Sequence, residues 1–550
     1  MSLKTQTFAP VPEETIRIAN AAFPKGNLYI KMRDTFGSVY TDDLFADLFS
    51  KEGSPAQAPW RLAMICVMQF AEGLSDRQAA DAVRSRIDWK YALGLPLEDA
   101  GFDYSVLSQF RHRLVEGDAS LRFLETLLTL FVERGLLKAG GKQRTDSTHV
   151  LAAVRLLNWL ELVGETLRHA LESLATLVPD WLQKQAPVEW YDRYAARMDN
   201  YRFPKSDKAR LELAAQIGAD GLLLLARVDA ATHMPWLREV EAIVTLRQVW
   251  TDRFTDPPGP LRFKQSTERA ASAELIVSPY DTEARYATKR DITWVGYKVH
   301  LTETCDKARP NLITDVLTTV ATSPDENKLP VILAALQGRA LLPKEHFVDA
   351  GYTDAGVLAE SQHTFGVEVL GPVTLDPSWQ LQAGKGFDKT KFLVNWEDQV
   401  VTCPAGKTSL SFLPCAEPQA KRCSWHVRFA KKDCDACEHR PDCTRAKKEP
   451  RELMLQTREE YEALHAARRR QKTPEFKEAY KTRSGIESTH EQGIRRCGLR
   501  HARYMGLAKT HLQHILTASA LNLVRVGEWL FGSPRAKTRI SRFAQLAPAP

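Results

Sequence analysis

The sequence predicts an α/β fold, a mixed β-sheet covered by helices, with further helical segments before the sheet and inserted into it. Three observations predict it. Short runs rich in β-branched residues recur at 142–150, 294–306, 311–322, 345–349 and 367–373. They alternate with helix-like stretches in the order strand, two strands, helix, strand, helix, strand, which builds a mixed sheet between helical layers. Apolar residues return at helical spacing over 59–117, 151–250 and from 459 onward.

With 550 residues, 44% hydrophobic and 26% charged, the chain is long and apolar enough for a large core, and disorder is excluded for the whole. No run of 18 uncharged apolar residues occurs, so no membrane span is expected. The first fifteen residues lack a basic segment feeding an apolar one, so the expected compartment is the cytoplasm, where structural disulfides are not expected. Charge is unevenly spread. Residues 421–550 carry 28 Lys and Arg against 14 Asp and Glu, whereas the rest carries 47 against 54. Such clustering suits a polyanion, because phosphate affinity comes from cations that displace counterions.

Residues 1–40 read as an N-terminal arm and 41–120 as a compact helical domain. In the latter, PWRLAMICVMQFAEG (59–73) is followed by SDRQAADAVRSR (75–86), with Ser75 as N-cap, and by DYSVLSQFRHRLVEG (103–117). Arginines between apolar positions there suit a helix-turn-helix-like reader whose last helix, with Arg111 and Arg113, enters a major groove; a packing or dimerisation module fits the pattern equally. Residues 135–150 and 262–372 form the first part of the α/β core. Residues 151–261 are a helical insertion ending in the breaker TDPPGP, 255–260. Residues 373–455 form a cysteine-rich insertion, 456–530 the final helices, and 531–550 a basic, disordered tail.

Asp146 lies near the centre of the first strand and Asp349 at the end of a later one. A third carboxylate, Glu487, lies on the helix that follows the cysteine-rich insertion. Three such groups suit two Mg²⁺ or Mn²⁺ ions, hard cations that clamp the attacking and leaving oxygens of a phosphodiester displacement. Tyr480, Arg483 and Glu487 stand at i, i+3 and i+7 and so share a helix face, where an arginine can pair with a phosphate.

The segments TDST (145–148), VDAGY (348–352) and Y-x2-R-x3-E (480–487), in this order and in strand and helix settings, resemble the DDE transposases of bacterial insertion sequences, in the Tyr-Arg-Glu branch. The likeness extends to 40–117, 278–304 and 499–525. It implies a ribonuclease-H-like core, with Asp146, Asp349 and Glu487 as the metal-binding catalytic triad and Tyr480 and Arg483 on DNA near the cleaved strand. It further implies a homodimer that binds double-stranded DNA at the terminal inverted repeats and carries out cut-and-paste transposition, associated with the nucleoid. The branch's lysine, seven residues after the glutamate, is replaced by Ile494, with Arg495 and Arg496 beside it as candidate DNA contacts. An end-binding protein without catalysis, or a simple nuclease, would share these motifs. Lys298 and His300, alternate residues of one strand, are further candidates near the phosphate.

In the cysteine-rich insertion, CPAG and CDACEHRPDC supply Cys403, Cys434, Cys437 and Cys443, a spacing that suits a structural zinc site, with His426 or His439 able to replace one cysteine. Trp379, Trp396 and Trp425 in the same insertion are candidates for stacking on a DNA end.

Overall fold

The structure, a computed structural model, describes residues 2–3, 5, 10–255, 261–271, 273–289, 291–415, 424–533, 542–543 and 546. The breaker at 255–260 and the tail 531–550 fall for the most part outside these residues.

The central sheet forms where the β-branched runs placed it. β1 (Lys142–Leu151), β2 (Arg285–Lys289), β3 (Ile292–Thr304), β4 (Ile313–Val320), β5 (Glu345–Phe347) and β6 (Glu368–Leu370) assemble in the order β2-β3-β1-β5-β6. The long β3 pairs with β1 along one edge, and along the other with β2 and then β4. β3 runs antiparallel to both β1 and β4, whereas β5 and β6 run parallel to β1. The sheet is therefore mixed. Its parallel half returns through the helices Leu329–Gly338 and Ala355–Phe365, as parallel connections require.

The helices before β1 share the core of the sheet. Glu13–Ala22 and Leu28–Phe36 are helical, and Ser75 caps Asp76–Ser85 in a reciprocal capping box with Gln78. A further amphipathic helix, Arg122–Glu133, precedes β1. Trp60, Phe70, Leu107 and Phe123 from these helices belong to the same continuous apolar core as Val299 and Val316 of the sheet. The helix Leu507–Leu530 joins the two halves, lying against β4 on one side and Pro59–Glu72 on the other. It is buried from Thr510 to Gly527 on nearly every face, so its polar side chains need partners. Asn522 bonds both the N–H and the C=O of Ile313, at 2.7 and 2.8 Å, and Thr318 bonds His514 at 2.8 Å.

The insertion after β1 is helical and has its own core around Leu160, Ile217, Leu246 and Trp250. Its long helices Trp159–Leu177, Asp207–Ala230 and Glu241–Arg253 pack closely. At Gly221 a Cβ would stand 2.2 Å from the Trp250 ring, so only glycine admits that approach. The cysteine-rich insertion folds as the hairpin β7 (Leu393–Asn395) and β8 (Val400–Thr402) beside the antiparallel sheet β9 (Ser409–Pro414), β10 (Trp425–Phe429) and β11 (Glu452–Leu455). Its core, built around Phe392, Val427 and Phe429, is small. Contrary to the expectation of no structural disulfide, Cys415 is disulfide-bonded. The β9–β10 hairpin fixes its backbone, with its N–H on the carbonyl of Ser424 at 3.1 Å. No described helix is long and apolar enough to cross a membrane.

Candidate active site

β1 and β5 run parallel with Arg144 beside Phe347, and continuing that register by two residues brings Asp146 alongside Asp349. Asp349 lies just past the end of β5. There it caps the turn Ala350–Tyr352, its Oδ1 accepting from the Gly351 N–H at 2.9 Å. Glu487 arrives from the helix Gly485–Cys497, which packs across β1 and β3.

The three carboxylates converge on one guanidinium. Arg483 Nη2 lies 2.8 Å from Asp146 Oδ2 and 3.9 Å from Asp349 Oδ2, and Nη1 lies 2.8 Å from Glu487 Oε1. Asp146 is the most enclosed, its side chain 13% exposed against 66% for Glu487. One cation does not balance three anions, and Asp146 registers the deficit. Burial pushes its carboxyl up to about 6; Arg483 pulls it back, and the like charge of Asp349 raises it again.

The helix carrying Glu487 is fixed by a charge cluster under the site. Glu303 of β3, fully buried, receives Arg144 Nη2 at 2.6 Å and Arg525 Nη1 at 2.7 Å, and Thr489 donates to it at 2.7 Å. Burial alone would raise the Glu303 carboxyl, but Arg525 and Arg144 outweigh it and hold it below the usual range. One residue thus ties β1, β3, the Glu487 helix and the last helix together. Arg144 also donates to the carbonyl of Thr482, and it fits because position 485 is glycine: a Cβ there would stand 2.0 Å from Arg144 Nη1. The chain tightens to a 3-10 turn over Lys481–Ser484 between two α-helices, so 480–487 is not one regular helix, although Arg483 and Glu487 still meet.

Residues 402–527 match the family model described as a transposase DDE domain, and residues 17–113 match that of a transposase domain, DUF772. Together they support a DDE transposase. The first match includes Arg483 and Glu487, and the second covers most of the N-terminal helices. No curated protein and no solved structure matches the chain.

Among the described residues no three ligand-type side chains stand ready around a metal ion, and Arg483 lies between the three carboxylates instead. By donor chemistry the three carboxylates nonetheless suit hard divalent cations.

Other expected contacts are placed differently. Tyr480 turns from the carboxylates toward β5, stacking on Phe476 at 5.4 Å and donating to the carbonyl of Val348 at 3.1 Å. His300 is buried, bonded to the Tyr352 hydroxyl at 2.6 Å and held neutral by burial, down to about 3. Lys298 pairs at 2.8 Å with Asp325, whose Oδ2 also receives the Ser147 hydroxyl at 3.1 Å. Asp325, which accepts from Ser147 next to Asp146 on β1, is an acidic group beside the site that the sequence pattern did not single out. It sits in a helix-initiating SPDE run, where such a residue reads as a cap.

Arg111, expected on DNA, is turned inward by its helix, where it pairs with Asp76 and lies 5.4 Å from the Tyr504 ring, its side chain 7% exposed. Arg113 bonds the Leu48 carbonyl at 3.2 Å and covers Phe49. Arg495 is exposed and pairs with Glu491; Arg496, also exposed, donates to the Ala71 carbonyl at 2.6 Å. Trp396 packs on Phe412 and Tyr461, Trp425 on Phe412, and Trp379 beneath Arg445, each within the cysteine-rich region or its flanking helix. Cys403, Cys434, Cys437 and Cys443 line one cavity, whereas His426 pairs with Glu452 and His439 packs on Phe387.

Proposed function

We propose that the chain is a DNA transposase that binds the terminal inverted repeats of its own element as a homodimer in the cytoplasm, cuts there, and joins the freed end to target DNA. The convergence of Asp146, Asp349 and Glu487 on Arg483, from three distant segments, carries this reading. It is supported by the strand order: three antiparallel strands followed by two parallel ones is what a ribonuclease-H-like core would have. The basic final quarter supports a nucleic-acid partner.

Two Mg²⁺ or Mn²⁺ ions, when bound, would supply Lewis acidity at the attacking and leaving oxygens. Asp146, Asp349 and Glu487 would hold them. Asp146 must shed its proton for that role. Arg483, released from the carboxylates, turns its guanidinium to the scissile phosphate, which it pairs bidentately. The enclosed position of Asp146 excludes bulk water from its side of the site. Water attacks phosphorus as the bond to O3′ breaks, and the resulting 3′-hydroxyl in turn attacks a target phosphorus, joining to it as that strand's own P–O3′ bond breaks and its 3′-oxygen leaves. Arg495 and Arg496, one turn from the end of the Glu487 helix, extend the DNA path.

The test is cleavage and strand transfer with Mg²⁺ on DNA carrying the inverted repeats that flank the gene, comparing wild type with Asp146→Ala, Asp349→Ala and Glu487→Ala. All three variants should lose both reactions and keep end binding. Undiminished cutting by any variant removes that residue from the site, and a wild type that binds ends without cutting overturns the catalytic reading.

A further inference from the structure

The cavity in the cysteine-rich insertion is a second place where chemistry-bearing side chains gather, away from the carboxylates. Its wall includes Cys403, Cys434, Cys437 and Cys443, none of them disulfide-bonded. They come from two separate places in the chain. Cys403 follows β8, and the other three lie on the short helices Lys431–Asp435 and Arg440–Cys443 and the turn between them. Cys443 is within electrostatic reach of the other three.

The backbone around the four is already fixed. The CPAG turn closes with the Gly406 N–H on the Cys403 carbonyl at 2.9 Å, and the Lys407 N–H points at Cys403 Sγ, 3.3 Å away. Arg440 bonds Asp435 and the carbonyls of Ala446 and Glu449, and Gln380 bonds the carbonyl of Cys443 at 3.0 Å, so the loops carrying Cys437 and Cys443 are tied down. Lys407, Arg440 and Arg451 also line the cavity. Their charge offsets the net dianion of four thiolates around a divalent ion.

The cavity holds about 30 Å³, room for an ion or a water and little else. Among the described residues no histidine lines it. The four sulfurs line one cavity but do not stand as a ready ligand set in this structure. We propose that Cys403, Cys434, Cys437 and Cys443 bind one structural Zn²⁺, which draws the four sulfurs together at the centre of this cavity. Four thiolates leave no open position, so the ion takes no part in cutting DNA. Its work is mechanical. The insertion's own apolar core is small, and a metal joining β8 to the two short helices staples it.

The experiment is metal analysis of the full chain purified under reducing conditions without added metal. About one zinc per chain is expected. Titrating the thiols of the wild-type protein with an organomercurial should release that zinc, a readout that needs no variant to fold. Cys434→Ser and Cys437→Ser should each lose it, and His426→Ala and His439→Ala should keep it. Replacement by Co²⁺ should give the intense visible and near-ultraviolet absorption of a tetrahedral thiolate site. A folded, reduced wild type that carries no zinc and takes up no Co²⁺ overturns the proposal, as does full zinc retention in Cys434→Ser or zinc loss in His439→Ala. Metal content is read without reference to transposition, so a failure here is separable from a failure of the catalytic reading.

Discussion

Asp146→Asn should make the metal-free protein more stable at neutral pH while abolishing cleavage. The magnitude follows from one group. A carboxyl near 3.9 in the unfolded chain stands at about 6 in the folded one, because burial and the Asp349 charge outweigh Arg483. Two units at 1.36 kcal/mol each mean that charging Asp146 costs the folded state about 3 kcal/mol. The sign is set by proton uptake: between pH 4 and 6 the folded state holds the proton that the unfolded state has released, so stability falls as pH rises through this window. Asparagine resembles the neutral acid and escapes the loss. Urea unfolding with chelator present should therefore show wild type and variant nearly equal at pH 4. Above pH 7 the variant should lead by up to about 3 kcal/mol, less whatever its amide loses against Arg483. Mg²⁺ should then raise the stability of wild type and leave the variant where it was. A variant that is equally stable or less stable than wild type at pH 8 would refute the reasoning, since the carboxylate would then be a net stabilising partner of Arg483.

Three further outcomes follow from the same framework. Glu303→Gln leaves Arg144 and Arg525 buried without their counter-charge and should cost about 3–5 kcal/mol in denaturant unfolding. Gly485→Ala puts a methyl into the Arg144 guanidinium; it should lower cleavage strongly while circular dichroism stays near wild type, and wild-type cleavage would show that the Glu487 helix does not depend on this contact. Glu487→Gln, at an exposed side chain, should lose cleavage with stability unchanged within about 0.5 kcal/mol.

Much of the sheet was legible because β-branched runs bounded by turns have few other uses: KQRTDSTHV and WVGYKVHLTET became the paired strands β1 and β3. The carboxylates were legible by their place on those elements. Arg483 was legible as a neighbour of Glu487 but not as the shared counterion of all three acids, since that depends on how β1 and β5 register with a helix far along the chain. The same limit hid Glu303, whose significance is entirely its burial between two arginines. Arg111 shows the opposite failure. Its type and spacing suggested a surface cation, yet Asp76 and Tyr504 come from elsewhere in the chain to enclose it. The division of the helices before β1 into arm and reader was drawn from sequence spacing, which does not reveal that they share the sheet's core.

The helix Leu507–Leu530 lies between the sheet and the helices made first. Its apolar and hydrogen-bonding partners on Pro59–Glu72 and β4 therefore have no cover until nearly the whole chain has left the ribosome. Early segments must wait, exposed or chaperone-held, for the last long helix to dock. Glu487 precedes that helix and is anchored through Arg525 upon it, by way of Glu303 and Thr489. A chain whose synthesis stops short of it would own every acidic residue of the site and still lack the support that aligns them.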